Sequence, residues 1–596
     1  MSRMVISNDV CTFKKAIEYS IEAGLKKFEE VVQENLNLAV FEKRNVFFGN
    51  VYHRNKEEYI AVTGTLLYKG EKGVEALKLI WEDFDGDVIK FKKECLGVYS
   101  LIIRKGTRNY LFGDYYGIYD ICYYQNSSVF FVTNSLSTLA TVNGLQKIDS
   151  DMLMAELIGC GHFDSSNTIF SNVLRLRGNE YVEISCEKLK IVEIPDVEYM
   201  IKYNYESEEK AIKDILQLLT QALPGIKNNF NNVAVNLTGG LDSRCTLAAL
   251  HKVGCDIQLL YGEGKKGGLL TCREDKKVVQ NIADKFNLPL YFMNWEESTI
   301  SDKEYLEQRR YFFKKYGFVN IYDANENIRS EYEDKIRPYP EFMDFGYLVE
   351  GFRLRTWAEN LNADYFTLDS YINDYLFGKL NIEPIGWDIA LLKSMLKKDI
   401  QVWLKRLEIP IENGRISMDY FERLRWVAGR FVGSRMAFFV NEFTYSFPIY
   451  GIPQIHTIIL SLPAQVIRGS SFQIKFLKAI NPEFINDLML FSHRRLYRIT
   501  KSGKKTKVLT FKNIADIVLL KIPIVALPLK SVYRHFFYKS YRGWEDYCNK
   551  DLNQINVHLL PMQGMKNRDI FHNYNYFLAC YASLLENIVE WENNKR

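Results

Sequence analysis

Thr238-Gly-Gly-Leu-Asp-Ser243 is the stretch of this chain best equipped for chemistry. The hydroxyls of Thr238 and Ser243 can donate to a phosphate. Gly239 and Gly240 can take the tight positive-φ turns that turn backbone N–H groups toward an anion. Leu241 spaces them from Asp242, whose carboxylate can hold a magnesium ion through an oxygen ligand. The preceding Val233-Ala-Val-Asn-Leu237 is β-prone, and a helical pattern opens at Asp242 and Ser243. Strand, glycine turn and helix N-terminus therefore follow in the order that favours a bound phosphate. The loop is not of the Walker type, which requires a Lys that is absent here.

Such a loop needs a sheet edge to hold it. Lys210 to Leu223 carries helical spacing and leads into the loop strand. Ile257 to Tyr261 reads as a second buried strand, Glu274 to Phe286 as an amphipathic helix, and Leu288 to Phe292 as a third strand. Strands alternating with helices predict a parallel, doubly wound sheet, which binds ligands at its carboxyl edge. Tyr261 and the glycine-rich run 262–268 fall on that edge. Before residue 200 the pattern is mainly β, with strand-like runs at Tyr59–Tyr68, Val98–Ile103, Asp120–Tyr124 and Val129–Thr133. Beyond about residue 300 helical patterns dominate.

Composition narrows the classes. At 596 residues, two or more domains are expected. Apolar residues make up 47% and charged residues 25%, ordinary for a globular chain. A net charge of +4 gives no argument for nucleic acid. The ten cysteines include no Cys-x-x-Cys pair, and the eight His show no ligand spacing, so no zinc or redox motif is expected. Met1 to Lys15 lacks an apolar core, so a cytoplasmic, reducing setting is expected. The basic residues from His493 to Lys507 precede the apolar segment Ile517–Leu529. That composition suits either peripheral contact with an anionic membrane through 493–530, or a solvated loop next to core.

The loop resembles the pyrophosphate loop, Ser-Gly-Gly-x-Asp-Ser, of the ATP pyrophosphatases, with Thr238 in place of the first Ser. The order of the parts resembles asparagine synthetase and its relatives, in which a glutaminase domain precedes an ATP-pyrophosphatase domain. Asp114-Tyr-Tyr-Gly117 followed by Cys122-Tyr-Tyr124, Thr168 to Gly178, Phe447-Pro448 and Leu462-Pro463 are similar to landmarks of that family, over about residues 55 to 490. The resemblance implies a fold: an N-terminal nucleophile-type β-rich sandwich, then a parallel doubly wound α/β ATP-pyrophosphatase domain with a largely helical C-terminal part. The corresponding bounds are 1–200, 206–490 and a helical, partly basic extension at 491–596.

The resemblance implies site residues as well. Asp344-Phe-Gly-Tyr-Leu-Val-Glu350 stands where the family has its second phosphate loop, though Gly346 is its only glycine. Glu350 would be a second magnesium ligand, and Tyr347 would face the substrate, as in the β-lactam synthetases, where a Tyr-Glu dyad deprotonates an amine. Lys475, with Lys478 as alternate, resembles the family's catalytic Lys, which stabilises charge on pyrophosphate. Asp275 would border the nucleotide and Tyr261 the adenine. The departures matter equally. Ser2 stands where a catalytic Cys is required, and Thr63-Gly64 replaces an Asn-Gly pair. The N-terminal domain thus reads as a degenerate glutaminase.

The implied activity is an AMP-forming ligase that uses ATP and Mg2+. Its substrates would be a small-molecule or peptide carboxylate and ammonia or an amine, as in the β-lactam synthetases and lasso-peptide cyclases. Two alternatives remain: another pyrophosphatase-loop chemistry such as tRNA thiolation, and a pseudoenzyme that binds without turnover.

Overall fold

Alternation along the N-terminal strands sets the first architecture. The computed structural model describes residues 3–508 except 34–35, 143–148, 150–151, 153–165, 186–187, 265–268, 296–337, 378–388, 429–439, 487, 493–494 and 500–504. Strands β1 (Met4–Ser7), β2 (Lys27–Gln33), β3 (Leu36–Phe41), β9 (Cys122–Gln125), β10 (Phe130–Thr133) and β11 (Leu174–Arg175) form one antiparallel sheet, in the order β11-β9-β10-β1-β3-β2. A second contains β4 (Val51–His53), β5 (Tyr59–Tyr68), β7 (Leu96–Lys105), β8 (Arg108–Gly113), β12 (Glu180–Ile184) and β13 (Leu189–Glu193), with β6 (Glu71–Lys72) hairpinned onto β5.

Successive side chains leave a strand on opposite faces. Met4, Ile6, Leu38, Val40, Phe130 and Val132 of the first sheet meet Tyr59, Ala61, Ile102, Leu111 and Val182 of the second. Their neighbours turn outward. Val5, Ala39 and Phe131 pack with helices α1 (Val10–Glu22) and α4 (Leu136–Val142). Ile60, Val62, Leu101 and Ile103 pack with α2 (Gly73–Asp83) and α3 (Val88–Glu94). The result is a four-layer helix–sheet–sheet–helix sandwich. Both faces of β5 are covered, so all ten of its residues are buried. The mainly-β reading of the sequence found two strands of each sheet, β9 and β10 in the first and β5 and β7 in the second, but not the helical outer layers.

The second architecture is a parallel sheet of β14 (Val233–Asn236), β15 (Ile257–Gly264), β16 (Leu290–Trp295) and β17 (Phe342–Asp344), ordered β16-β15-β14-β17. Helices Asp242–Lys252 and Leu269–Phe286 make the first two crossovers. Growth runs outward through β15 and β16, then returns to the other side of β14. The carboxyl end of β14 is therefore the switch point of the sheet, where ligands of open α/β sheets bind. Helices Ile389–Arg406, Phe421–Ala428, Pro453–Leu460 and Ser471–Ile480 follow.

Residues 489–507 depart from expectation. The start of the extension, read as helical, forms antiparallel strands Met489–Ser492, Arg495–Ile499 and Lys505–Lys507. Leu490 is buried in the main core and Leu496 and Tyr497 pack beside it, which ties this segment to the domain. The apolar segment 517–529 and the rest of the extension lie outside the described residues, as do Met1, Ser2 and 265–268 of the glycine-rich run. No helix among the described residues is long and apolar enough to cross a membrane.

The two architectures are joined by a polar seam. The Thr65 hydroxyl donates to Asn441 Oδ1 at 2.5 Å and accepts from Ser446 N at 2.8 Å. Buried Lys43 bonds Asn441 as well. Glu442 is buried here, and burial pushes its carboxyl up to about 7 against the pull of Arg3, Arg44 and Lys43.

Candidate functional site

The loop after β14 closes on its own hydroxyls. Thr238 N donates to Ser243 Oγ at 3.0 Å, the two hydroxyls lie 3.2 Å apart, and Gly240 N approaches Thr238 Oγ1 at 3.3 Å. Gly239 N donates to Asp275 Oδ1 at 2.7 Å, which fixes the turn to the helix after β15. The Tyr261 hydroxyl also bonds Asp275, whose carboxyl burial pushes up and these hydrogen bonds pull back. Arg244 is fully buried beneath the loop, donating to the carbonyls of Gly239, Phe484 and Met489. Leu241 is buried, so the turn is anchored while Thr238 is exposed. Asp242 opens the helix at its positive end.

The glycines act differently from expectation. Neither Gly239 nor Gly240 has a positive φ. A Cβ on Gly240 would come within 3.3 Å of Thr238 Oγ1, so its smallness serves close approach. The positive-φ glycine of the site is Gly346, at φ +75°. A Cβ there would lie 2.7 Å from Ser243 Cα, so the segment after β17 lies directly on the loop. Asp344 holds that segment by accepting from Gly346 N at 2.9 Å and Ile449 N at 3.0 Å. Burial lifts Asp344 to about 6 despite those N–H groups. Leu348 takes a left-handed φ of +67°, then a short 3-10 turn, Val349–Phe352, carries Glu350. A left-handed non-glycine residue is costly and is tolerated where surroundings enforce it.

Glu350 and Asp242 are thereby brought together. Glu350 is pushed up to about 7 by burial and then by the charge of Asp242, with Arg353 and Arg425 opposing. Its Oε2 is sealed from solvent and has no hydrogen-bond partner among the described residues. Both oxygens of Asp242 are taken: Arg353 reaches Oδ2 at 3.1 Å, and Gln473 Nε2 reaches Oδ1 at 2.6 Å. Among the described residues no group of three or more His, Cys, Asp or Glu is arranged to hold a metal. Two carboxylates with one unsatisfied oxygen suit a magnesium ion that takes its remaining ligands from water and phosphate.

The other candidates divide. Tyr261 is buried, edge-on to Phe292 at 6.1 Å. Tyr347 is half-buried and stacks on Phe345 at 5.5 Å. Lys475 is not with the loop: its ammonium pairs with Glu208 and its side chain is 57% exposed. Gln473 occupies the loop-facing side of the same helix, and residues two apart on a helix point in nearly opposite directions. Lys478, half-buried, is one turn further on. Sequence reading missed Arg353 and Gln473. The spacing Glu350-x-x-Arg353 was a faint signal for the first, and nothing local marked the second.

Fold and site together define the class: a mixed α/β chain in which an antiparallel sandwich precedes a parallel sheet bearing a hydroxyl-lined Gly-Gly loop at its switch point. No family model matches it. By sequence it is similar to the tRNA-specific 2-thiouridylase MnmA of Lactobacillus delbrueckii subsp. bulgaricus, at 28% identity over 187 residues, covering 30% of this chain and 48% of that protein. The Lactobacillus helveticus thiouridylase shows 26% identity over 203 residues, covering 32% and 50% respectively. The Limosilactobacillus reuteri protein shows 31% over 149 residues, covering 24% and 33%. The chain thus spans at most about half the length of these relatives. Among solved structures, the glutamine phosphoribosylpyrophosphate amidotransferase of B. subtilis covers 51% of this chain and 92% of its own at 10% identity. Its TM-score is 0.24, too low to establish a common fold.

Proposed function

We propose that this chain is an ATP-dependent, AMP-forming ligase of the asparagine synthetase type, which adenylates a carboxylate and passes the acyl group to ammonia or an amine. The observation that carries the reading is the Thr238–Ser243 loop at the switch point, with Asp242 and Glu350 converging beside it. In this reading the triphosphate lies against the loop hydroxyls and the helix N-terminus at Asp242, with the adenine toward Tyr261. Bound magnesium would neutralise phosphate charge as pyrophosphate leaves. Asp242 and Glu350 would hold it, and Arg353 stands ready to meet the charge on the leaving group. Lys475 would have to release Glu208 to share that role. Tyr347 and Glu350 would border the acyl acceptor. The substrate carboxylate attacks the α-phosphorus, and the nitrogen nucleophile then displaces AMP from the acyl carbon.

The similarity to thiouridylases supports a second reading, in which the same ATP chemistry activates a tRNA base for thiolation. Amide formation is favoured because Cys245, in the first turn of the helix after the loop, is ill suited to carry sulfur. Burial holds its thiol well above the ordinary range.

The test is release of AMP and pyrophosphate from magnesium-ATP, with aspartate and either ammonium or glutamine, and in parallel with tRNA and a sulfide donor. Turnover with ammonium alone supports the ligase with an inert N-terminal domain. Turnover only with tRNA and sulfide replaces it with the second reading.

A further inference from the structure

A cavity of about 220 Å3, away from the loop, opens where three parts of the fold meet. The sandwich contributes Tyr115, Tyr116 and Arg177–Asn179, the link contributes Tyr199 to Asn204, and the helical region contributes Trp403, Arg406, Glu408, Arg423 and the end of helix Pro453–Leu460. Its walls are rigid. Tyr115 stacks on Tyr199 at 4.5 Å, and the Tyr115 hydroxyl donates to Tyr199 O at 2.9 Å while accepting from Ile201 N at 3.1 Å. Gly178 has no room for a side chain, since a Cβ would meet Tyr115 O at 2.8 Å.

The charges in the wall do not balance. Arg406 is clamped by Asp196 through bonds of 2.8 to 3.1 Å. Lys202 takes both oxygens of Glu408, at 3.1 and 2.8 Å, and Glu408 is the only carboxylate among the described residues of the lining. Arg177 has Glu180 at 3.9 Å. Arg423 makes no hydrogen bond or ion pair among the described residues, and burial lowers its pKa while Glu408, whose two oxygens are already held by Lys202, pulls it back from a distance. A partly buried guanidinium that shares its nearest carboxylate with a lysine is better stabilised when a ligand supplies a second anion. A guanidinium is also a planar fork, matched to a carboxylate or phosphate.

We infer that this cavity is a second ligand site, separate from the Gly-Gly loop, which takes a small anion, carboxylate or phosphate, carrying a flat apolar body. Arg423 receives the anion, and the rings of Tyr115, Tyr199 and Trp403 form the apolar wall. Aromatic walls with a few placed polar groups at a junction of domains are the usual makeup of a metabolite site. The inference stands on the cavity alone and does not require the ligase reading.

The experiment is calorimetric titration of the full chain with benzoate, phenyl phosphate and the uncharged benzamide. At least one anion should bind about tenfold or more tightly than benzamide, a gap of roughly 1.4 kcal/mol. The arm that binds distinguishes carboxylate from phosphate recognition. Arg423→Gln should weaken binding by about tenfold or more, while Asp242→Asn should leave it unchanged. Arg423→Lys keeps the charge but not the fork and should bind more weakly than wild type, which covers the case where Arg423→Gln fails to fold. No binding by either anion, equal binding of benzamide, wild-type binding by Arg423→Gln, or loss of binding in Asp242→Asn would overturn the assignment.

Discussion

Two glutamates, buried Glu442 in the seam and half-buried Glu350 beside the loop, are both pushed up to about 7 by desolvation, yet their neighbours have opposite signs. Glu442 faces Arg3, Arg44 and Lys43, which favour its charge. Glu350 faces Asp242, which opposes it, with Arg353 and Arg425 pulling back. The first is a compensated cluster that joins two domains. The second is a like-charge pair. Each glutamate leaves its Oε2 without a hydrogen-bond partner among the described residues, so the sign of the neighbours is what separates them. Burial alone therefore does not mark a site, whereas like charges brought together next to a ligand-shaped loop do.

Substitutions should separate the two clusters. The largest effect is expected in the seam. Arg3→Leu removes the strongest counter-charge of Glu442, and breaking a buried pair typically costs about 3–5 kcal/mol. Chemical denaturation should show that loss with unchanged turnover per folded molecule, and a loss under about 1 kcal/mol would dissolve the contrast. Asp242→Asn should do the reverse, lowering AMP and pyrophosphate release by roughly 10²–10³-fold without lowering the melting temperature.

Gly346→Ala should affect both properties. A side chain at φ +75° pressed on Ser243 should destabilise by about 1–3 kcal/mol and should also displace the loop, which nucleotide affinity would report. Glu350→Gln is subtler. An acid raised in the folded state is protonated there while its unfolded counterpart ionises, so wild-type stability declines as pH rises from about 4.5, the usual value, to about 7. The variant should lack that decline. It should melt higher than wild type at pH 8, by on the order of 1–2 kcal/mol after discounting for partial exposure. Glu442 is raised to about the same value, so its linkage has the same sign and Glu442→Gln should also lack part of that decline. The two variants should differ in turnover instead, which Glu350→Gln should lower and Glu442→Gln should leave unchanged. Lys475→Ala should have the smallest effect, within about 0.5 kcal/mol, and little effect on rate. A hundredfold loss of turnover would restore Lys475 to the chemistry.

Legibility in the sequence followed the range of each interaction. The helix read at Lys210–Leu223 is Glu208–Ala222, and the strand read at Ile257–Tyr261 is the start of Ile257–Gly264. Apolar period is a local property and reports such elements directly. The turn at Thr238–Ser243 was legible for the same reason. Its backbone conformation was not, because the φ of Gly239 and Gly240 depends on Asp275, 36 residues away, and on Gly346 pressing from another strand. Lys475 was read by position in a resemblance. Which face of its helix meets the loop was decided by packing, and that face carries Gln473.

The sequence by itself determined a β-rich first part, a strand–loop–helix unit with hydroxyls and an acid at set spacing, and the absence of cysteine and histidine motifs. These depend on residue type and on neighbours within a few positions. Only the tertiary structure decided that β17 lies beside β14, that Arg353 and Gln473 hold Asp242, and that Glu350 points at an acid while Glu442 points at cations. Each of those facts joins residues a hundred or more positions apart, or depends on such a joining. Charge compensation in a buried place is set by what the fold brings near, not by what the chain places adjacent.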